Sequence, residues 1–566
     1  MSAQPYIPRF SDPADIDEFV TKLEAFERGE IGPDAFRAFR LTRGVYGQRQ
    51  TDVQMIRVKA PGGLLGRAQL DALADVADQQ SRGFGHVTTR QNVQLHFVKM
   101  SESAAAMRRL DEAGLTTREA CGNSVRNVTG CERLATCADA PFDVSPYLEA
   151  VVRYFLRHPL AATLPRKFKI AFSGCASDCA KAAIHDLGFV AKVQEGRPGF
   201  LVYAAGGLST LPMSALVLHD FVPAEELGRV GEAVLRLFDR FGNRENKHRA
   251  RLKYVWKKLG EEGFRDAYAK LRAEIDAEAL AELVLPESPT RSPAPPVEGD
   301  KIEGYLPWRA QSVVDQRQSG YAGVYIRLKL GDITSAQMRG LGPILERFGD
   351  GSAYLTIDQN ILVPFVDKRS LPAIHAALAA LGLAELGLHT AKDVTSCPGA
   401  ETCNLAVTAS RRLGAAISDR LDREDATQPG FADTVIKISG CPNSCGQHHI
   451  ADLGFHGAAR KEGGKAYPMY QLHLGGGVDA RGARFGRQVV KIPARRVPDA
   501  VVVLLRLYAS DRAPDEKPAA FFERVDPKRV TAALGELLAP VTAGEDADIG
   551  EEKGFSIHSG EGECAA

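Results

Sequence analysis

The strongest constraint on this chain is that it repeats a cysteine pattern. The stretches "FSGCASDCAKAAIHDLGFVA" (172–191) and "ISGCPNSCGQHHIADLGFHG" (438–457) share a C-x3-C turn followed by Asp-Leu-Gly-Phe. Each has a C-x5-C upstream. Cys131, Cys137, Cys175 and Cys179 thus answer to Cys397, Cys403, Cys441 and Cys445, every pair 266 residues apart. The tetrapeptides at 186–189 and 452–455 keep the same offset. Spacing held over so many positions marks a duplication, so the fold must contain two equivalent halves.

The repeat extends upstream. "MIRVKAPGG" (55–63) resembles "YIRLKLGD" (325–332), and "VTTRQNVQLHFV" (87–98) resembles "LTIDQNILVPFV" (355–366). Between the members of each pair lies a stretch of helical period, "LLGRAQLDALADVADQ" and "ITSAQMRGLGPILERF", giving strand, helix, strand. "LPRKFKIAFSGC" and "DTVIKISGC" read as buried strands entering the C-x3-C turns, and "AAGGLS" and "LGGGVD" follow as tight glycine turns.

At 566 residues the chain exceeds one core and calls for three or four domains. Proline-rich "LPESPTRSPAPPVEGD" (285–300) reads as an extended linker between the halves, and the acidic, glycine-rich end of the chain as a disordered tail. Lys+Arg and Asp+Glu both number 71, which argues against a dedicated nucleic-acid or membrane-surface binder. No apolar run approaches a spanning length, and the start has no secretory pattern, so a soluble cytoplasmic protein is expected.

In a reducing compartment ten cysteines point to metal or redox chemistry rather than disulfides. Cys121 and Cys564 stand outside the two sets; Cys564 reads as an inert exposed thiol. Four thiolates suit Zn²⁺ or an iron–sulfur cluster. The wide spacing departs from paired zinc knuckles and favours a [4Fe–4S] cubane, with zinc as the other reading and four packed thiols as the bland one.

"SCPGAETCNLA … ISGCPNSCGQ", together with "RGVYGQRQ", "MIRVKAPGG", "TTRQNVQ", "SVRNVTG", "LPRKFK" and "NKHRARLKY", resembles the sirohaem-dependent sulfite and nitrite reductases over about residues 40 to 540. The resemblance implies an α+β fold, internally duplicated with a pseudo-two-fold: two ferredoxin-like half-domains plus two α/β sirohaem- or cluster-type domains. The expected boundaries are 1–115 (N-terminal extension and first ferredoxin-like half), 116–284 (first cluster-type domain), 285–300 (linker), 301–385 (second ferredoxin-like half), 386–540 (second cluster-binding domain) and 541–566 (tail). It further implies that Cys397, Cys403, Cys441 and Cys445 hold a [4Fe–4S] cluster, with Cys445 shared with the iron of a sirohaem.

Small oxyanions need buried cations and proton donors. The resemblance places Arg57, Arg126, Lys167 and Lys169 over the reacting face. Arginine suits fixed oxyanion anchoring and lysine proton donation, and in a strand Lys167 and Lys169 share one face. Sirohaem carries eight carboxylates, so Arg90, Gln94, Arg249, Arg251 and Lys253 are expected around it, with Gln359, Ser439 and Asn443 adding polar contacts.

The halves have kept different residues. Arg90 faces Asp358, Lys167 faces Asp433 and Lys169 faces Val435, while Arg57 and Arg126 are matched to Arg327 and Lys392. A pocket with an added carboxylate and no lysine pair repels a dianion. One active site is therefore expected, with its anion groups from the first half and its cluster from the second. For Cys131, Cys137, Cys175 and Cys179 three readings stand: a second [4Fe–4S] cluster, unmetallated relics, or zinc. "GCASDC" lacks the proline and asparagine of "GCPNSC". Cys121 near Arg126, with Tyr46, is read as a buried free thiol, with a redox or thioether role as the alternative. His96, His185, His448, His449 and His456 are read as ordinary polar residues, because the resemblance gives the axial position to thiolate.

The expected reaction is six-electron reduction of sulfite to sulfide, favoured by Lys169 where nitrite reductases of the family carry asparagine; nitrite to ammonium is the alternative. No dinucleotide fingerprint or flavin domain is evident, so the electrons come from ferredoxin or a separate flavoprotein. A colourless zinc-stabilised scaffold is the rival class.

Overall fold

The computed structural model describes residues 6–278, 280, 283–287, 291–425, 427–542, 544–557 and 563. Four five-stranded sheets carry the architecture. In the first, Val45–Gly47, Val53–Lys59, Asn92–Lys99 and Phe84–Val87 lie side by side, and Asp332–Thr334 from the second half completes the edge. In its counterpart, Val313–Asp315, Tyr321–Ile326, Ile361–Asp367 and Ser352–Leu355 are completed by Leu64–Gly66 from the first half. The exchange is reciprocal, and it covers an open edge on each sheet.

The intervening stretches form the expected helices. Arg67–Gln80 buries Leu70, Leu73, Ala74 and Ala77, a stripe at helical spacing, and Ser335–Phe348 buries Met338, Leu341, Leu345 and Phe348. The two helices pack on each other and are tied at the surface by Arg339 to Asp75 and Asp78 and by Arg67 to Glu346. One hydrophobic core, running from Ile16 to Leu383, serves both ferredoxin-like halves. The pair is thus a single structural unit.

Each remaining domain has its own core and a mixed sheet. Thr129–Gly130, Ile170–Ser173 and Leu187–Gln194 run parallel, followed by antiparallel Arg197–Ala204 and Leu216–Pro223. The second copy repeats this with Thr395–Ser396, Ile436–Ser439, Leu453–Glu462, Lys465–Leu474 and Arg487–Pro493. In both, a cysteine turn leaves the C-terminal end of a buried central strand.

Two expectations are corrected. Described parts of the tail pack against the body: buried Asp548 accepts from Ala409 N at 2.7 Å, and Glu563 accepts from Gly47 N at 2.6 Å. Acidic composition concealed this, because the charges find partners in Arg40, Arg412 and Arg496. Cys564 lies outside the described residues. The second correction concerns register. The turns Pro61–Gly63 and Lys329–Gly331 match through left-handed Gly62 and Leu330, and Arg57 pairs across its strand with Gln94 as Tyr325 pairs with Leu362. The counterpart of Arg57 is therefore Tyr325, not Arg327. The described residues of 285–300 form no helix or strand and lie on the second ferredoxin-like half through Ala294 N to Gly349 O and Val297 N to Ser370 Oγ.

Candidate active site

The second cysteine turn is built for close approach. Ser439 ends the strand Ile436–Ser439, and its hydroxyl accepts from Gly446 N at 3.1 Å, closing the loop that carries Cys441 and Cys445. A Cβ on Gly446 would overlap the Ile438 carbonyl, so only glycine fits after Cys445. Cys397 accepts from Gly440 N and contacts Ser410 Oγ, both at 3.3 Å. Cys445 is exposed, and the other three thiols gather behind it. Burial first, then the neighbouring Cys445, Cys397 and Cys403, push the Cys441 thiol up, so all four sulfurs share one electrostatic environment. Among the described residues no three of these sulfurs stand within 4.8 Å of one another. A single zinc bonded at ~2.3 Å would hold its thiolates ~3.8 Å apart. The wider set suits a cluster larger than one ion.

Opposite Cys445 stands the first half. Thr89 Oγ1 donates to Cys445 O at 2.9 Å, which places the "TTRQN" turn directly on the cluster loop. Arg90 donates to Asn127 O at 2.5 Å and to His185 Nε2 at 3.0 Å, while His185 Nδ1 donates to Lys181 O at 2.7 Å. Arg57 and Arg126 both donate to the carbonyl of Ala120, at 3.3 and 3.1 Å. With its amide oxygen turned to the guanidinium, Gln94 accepts from Arg57 Nη2 at 2.6 Å and Nε at 3.1 Å. Lys167 and Lys169 lie on one face of their segment, alternating with buried Phe168 and Ile170. Lys169 N donates to Asp186 at 2.9 Å, which fixes the lysine at the strand's entry.

These cations crowd one another. Burial, then Arg90, Arg251 and Lys167, push the Lys169 ammonium well below the usual lysine range, and the neighbouring Cys445 opposes the shift. Burial and the Arg126, Arg251 and Arg57 charges bring Arg90 down to about 9, against Asp186. Arg90, Arg251 and Lys167 thus gather around Lys169 beside the Cys445 sulfur, a concentration of basic groups suited to an anionic guest.

Several residues expected around the cofactor also bind within the protein. Arg251 is buried and paired with Asp186 at 2.7 and 3.2 Å. Lys253 is committed to the carbonyls of Gly207, Leu208 and Leu211, so its ammonium holds the glycine turn. Gln359 donates to Val87 O at 2.8 Å and accepts from Ser396 N at 2.8 Å. It is a latch between the halves, the partner of Gln91, which accepts from Gly130 N and donates to Leu355 O. Ser439 closes the turn. Lys253, Gln359 and Ser439 therefore hold the turns and the seam between the halves. Arg249 and Asn443 are exposed, the latter near Ser209 Oγ. Cys121 and Tyr46 share a small buried cluster with Leu41 and Met55.

Sequence reasoning missed Thr89, Asn127, Asp186 and His185 as members of the site. The repeated Asp-Leu-Gly-Phe carried the signal for Asp186, since its copy Asp452 makes the same bond, to Val435 N at 2.7 Å.

Both the cysteine domain and the ferredoxin-like half-domain of a known family match twice. The "Nitrite and sulphite reductase 4Fe-4S domain" matches residues 121–276 and 389–539, and the "Nitrite/Sulfite reductase ferredoxin-like half domain" matches 46–113 and 314–381. The chain belongs to the nitrite and sulphite reductase family. It is 30% identical to "Sulfite reductase [ferredoxin] 1" of Mycolicibacterium paratuberculosis over 83% of this chain and 82% of that one. It is 28% identical to the "Ferredoxin--nitrite reductase" of Synechococcus elongatus over 80% and 85%. The solved structure of the Mycobacterium tuberculosis NirA protein superposes with a TM-score of 0.75 at 26% identity, covering 91% of this chain and 97% of that one. The duplicated α+β architecture expected from the sequence is thus established, and membership makes the chain an oxidoreductase with an iron–sulfur cofactor. No described helix is long and apolar enough to cross a membrane.

The duplicated position opposite the first cysteine set is filled differently. Asp358, the counterpart of Arg90, binds Lys181 Nζ at 2.8 Å and Lys437 Nζ at 2.6 Å. Burial pushes the Asp358 carboxyl up, but the two ammonium groups outweigh it and hold it below its usual range. Tyr325, the counterpart of Arg57, donates to Glu132 at 2.7 Å. Among the described residues these positions do not repeat the basic cluster of the first half.

Cys131, Cys137, Cys175 and Cys179 nevertheless converge as well: Cys179 neighbours Cys131 and Cys175, and Cys137 packs on Cys175. Their loop closes on a carboxylate. Buried Asp178 accepts from Ser173 Oγ, Ala182 N and Ala183 N at 2.6, 2.7 and 3.1 Å, where the second copy has Ser444.

Proposed function

We propose that this chain reduces sulfite to sulfide, with nitrite as a second substrate at the same site. The carrying observation is the gathering of Arg90, Arg251, Lys167 and Cys445 around Lys169, with Arg57 and Arg126 joined at one carbonyl and both also acting on Arg90. Four convergent thiols, too widely set for one zinc, fit a [4Fe–4S] cluster held by Cys397, Cys403, Cys441 and Cys445. The cation basin in front of Cys445, including a buried Arg90 Nε without a hydrogen-bond partner, fits a polycarboxylate such as sirohaem. When bound, sirohaem supplies an iron that takes the anion and receives electrons by way of the cluster.

The protein's own groups have separate tasks. Arg57, oriented by Gln94, and Arg126 anchor the oxyanion through fixed guanidinium forks. Lys169 and Lys167 bring the protons with which each oxygen leaves the reduced sulfur as water; the Lys169 ammonium, pushed below its usual range, gives up its proton more readily. Arg90 and Thr89 hold the first half against the cluster loop. A second lysine supports sulfite, a dianion with three oxygens, over nitrite. The ferredoxin-dependent relatives, a sulfite reductase [ferredoxin] and a ferredoxin--nitrite reductase, support a ferredoxin as electron donor. The Cys131, Cys137, Cys175 and Cys179 set is read as a second, separate cluster site without a substrate basin.

The test is a visible spectrum and an iron count on purified holoenzyme, followed by turnover of both anions with reduced ferredoxin. Sirohaem bands with about five irons per chain mean one cluster, and about nine mean that the first set is loaded too. Colourless protein, or turnover of neither anion, refutes the reading.

A further inference from the structure

The duplication supplies an internal control for a second feature of the C-terminal half. In the first half, Ala182, Ala183, Val190 and Tyr203 pack as a small apolar cluster behind the cysteine turn. The strand registers place His448, His449, His456 and His473 at the same four positions: Leu187 pairs with Ala204 as Leu453 pairs with Leu474, and Ser173 with Val190 as Ser439 with His456. Four imidazoles thus stand where the sister domain keeps apolar groups and a tyrosine.

All four are buried. Burial of polar rings without partners costs free energy, so they call for a compensating interaction. His449 has one, its Nε2 donating to Ser209 O at 2.9 Å. His448 has none at either ring nitrogen and is fully buried. His456 Nδ1 stands 2.8 Å from His473 Nε2, and His473 Nδ1 stands 3.3 Å from Gly486 O. That carbonyl fixes the His473 proton on Nδ1 and leaves Nε2 as a lone pair turned inward, the second-shell arrangement common to metal-bound histidines.

The ring geometry is the second observation. The centroids of His448, His456 and His473 form a nearly equilateral triangle, with sides of 4.9, 4.8 and 5.0 Å. Their ligand nitrogens lie within 4.8 Å of one another. Three imidazoles bound tetrahedrally to one ion at ~2.0–2.1 Å have centroids ~5 Å apart and nitrogens ~3.3 Å apart. The rings therefore stand where an ion needs them, and His456 and His473 have only to open by about half an ångström.

We propose that His448, His456 and His473 bind one zinc ion, with water in the fourth position, as a structural clamp behind the cluster loop. His448 lies three residues beyond Cys445, and His456 pairs with Ser439, whose hydroxyl closes the turn. The ion would tie the outgoing end of the Cys441–Cys445 turn to the two strands beneath it. Burial, aided by the neighbouring rings, brings His456 down to about 4 and His473 to about 3, so both offer neutral lone pairs at neutral pH.

Zinc content and the zinc K-edge X-ray absorption spectrum of holoenzyme, expressed with added zinc, test this. The expected result is about one zinc per chain, with a nitrogen/oxygen shell at ~2.0–2.1 Å and imidazole outer-shell scattering. A variant carrying the sister residues, His448→Ala with His456→Val and His473→Tyr, should lose at least about nine-tenths of the zinc while keeping its iron. His456→Val alone gives the same reading if the triple variant folds poorly. Wild-type protein without zinc, zinc in a sulfur shell at ~2.3 Å, or variants that keep it would each overturn the proposal.

Discussion

Lys169→Asn is the most informative substitution at the proposed site. The Lys169 ammonium stands among Arg90, Arg251 and Lys167, with the Cys445 sulfur nearby, and its backbone is pinned by Asp186. Asparagine keeps the backbone bond and removes only the charge. A charge-assisted hydrogen bond to a bound anion contributes ~1.5–3 kcal/mol, or about 10- to 150-fold in kcat/KM. A unit charge pair ~4 Å apart near a protein surface is worth ~4 kcal/mol before screening, so a dianion loses about twice the Coulombic part that a monoanion does. Sulfite turnover should fall ~100-fold and nitrite turnover ~10-fold, shifting the preference about tenfold toward nitrite. Steady-state oxidation of a reduced viologen, with each anion as acceptor, measures both, and iron content and sirohaem absorbance report on loading. Lys169→Arg should recover most of the sulfite activity. An unchanged sulfite-to-nitrite ratio in fully loaded Lys169→Asn would show that this charge does not discriminate between the anions.

Gln94→Leu removes the carbonyl oxygen that receives Arg57 Nε and Nη2; a loss of ~2 kcal/mol, or ~30-fold in kcat/KM for sulfite at unchanged iron content, is expected from steady-state kinetics. Asp358→Asn leaves Lys437, a buried ammonium, without its carboxylate. Urea denaturation should show ~3 kcal/mol of destabilisation, largely relieved by adding Lys437→Ala, the residue found at the first-half position 171. Asp452 is raised to about 7 by burial and then by Asp433, against Val435 N–H and Arg484. Its unfolded value is ~3.9, so between about pH 4 and 7 the native state holds a proton that the unfolded state lacks. Stability should fall by ~1.4 kcal/mol per pH unit across that window and level off above it. Asp452→Asn, measured by urea denaturation at pH 5 and 7, should flatten this slope.

Much of this organisation was legible because duplication writes the same physical demands twice. The cysteine turns and the Asp-Leu-Gly-Phe strand starts are rigid, so their spacing survives and can be read directly. Register was harder. The letters Ile-Arg-x-Lys recur at 56–59 and 326–329, yet the left-handed turn at Gly62 and Leu330 shows that they lie two residues out of step. Identity of letters therefore hid that Arg57 has an uncharged counterpart. Lys253 and Gln359 were expected beside the cofactor because they are polar and lie in family motifs; their part in holding the turns and the halves together was not legible there. Only the fold shows that carbonyls accept from their donors. His473 was invisible beside His448 and His456, because a hairpin, not a sequence motif, brings it to them.

The same duplication explains why two cysteine sets can persist while the basic cluster is kept in one copy. "RGVYGQRQ" and its copy around Gln316–Arg317–Gln318 each clasp the opposite half. Arg49 N donates to Thr402 O at 2.8 Å and Gln50 to Glu401 O at 2.8 Å, while Arg317 N donates to Thr136 O at 2.8 Å and Gln318 to Ala135 O at 3.2 Å. Each cysteine loop is thus held by the ferredoxin-like half of the other repeat, and the exchanged strands Leu64–Gly66 and Asp332–Thr334 bind the same two halves together. Loss of either cysteine loop would release a clasp as well as thiols, so selection on the interface alone preserves the loop backbone. The basin is under no such constraint: replacing Arg90 by an aspartate at its copy yields a bridge to Lys181 and Lys437 that still joins the halves. One copy was free to exchange substrate-binding charge for cohesion, and the other kept the charge that an anion requires.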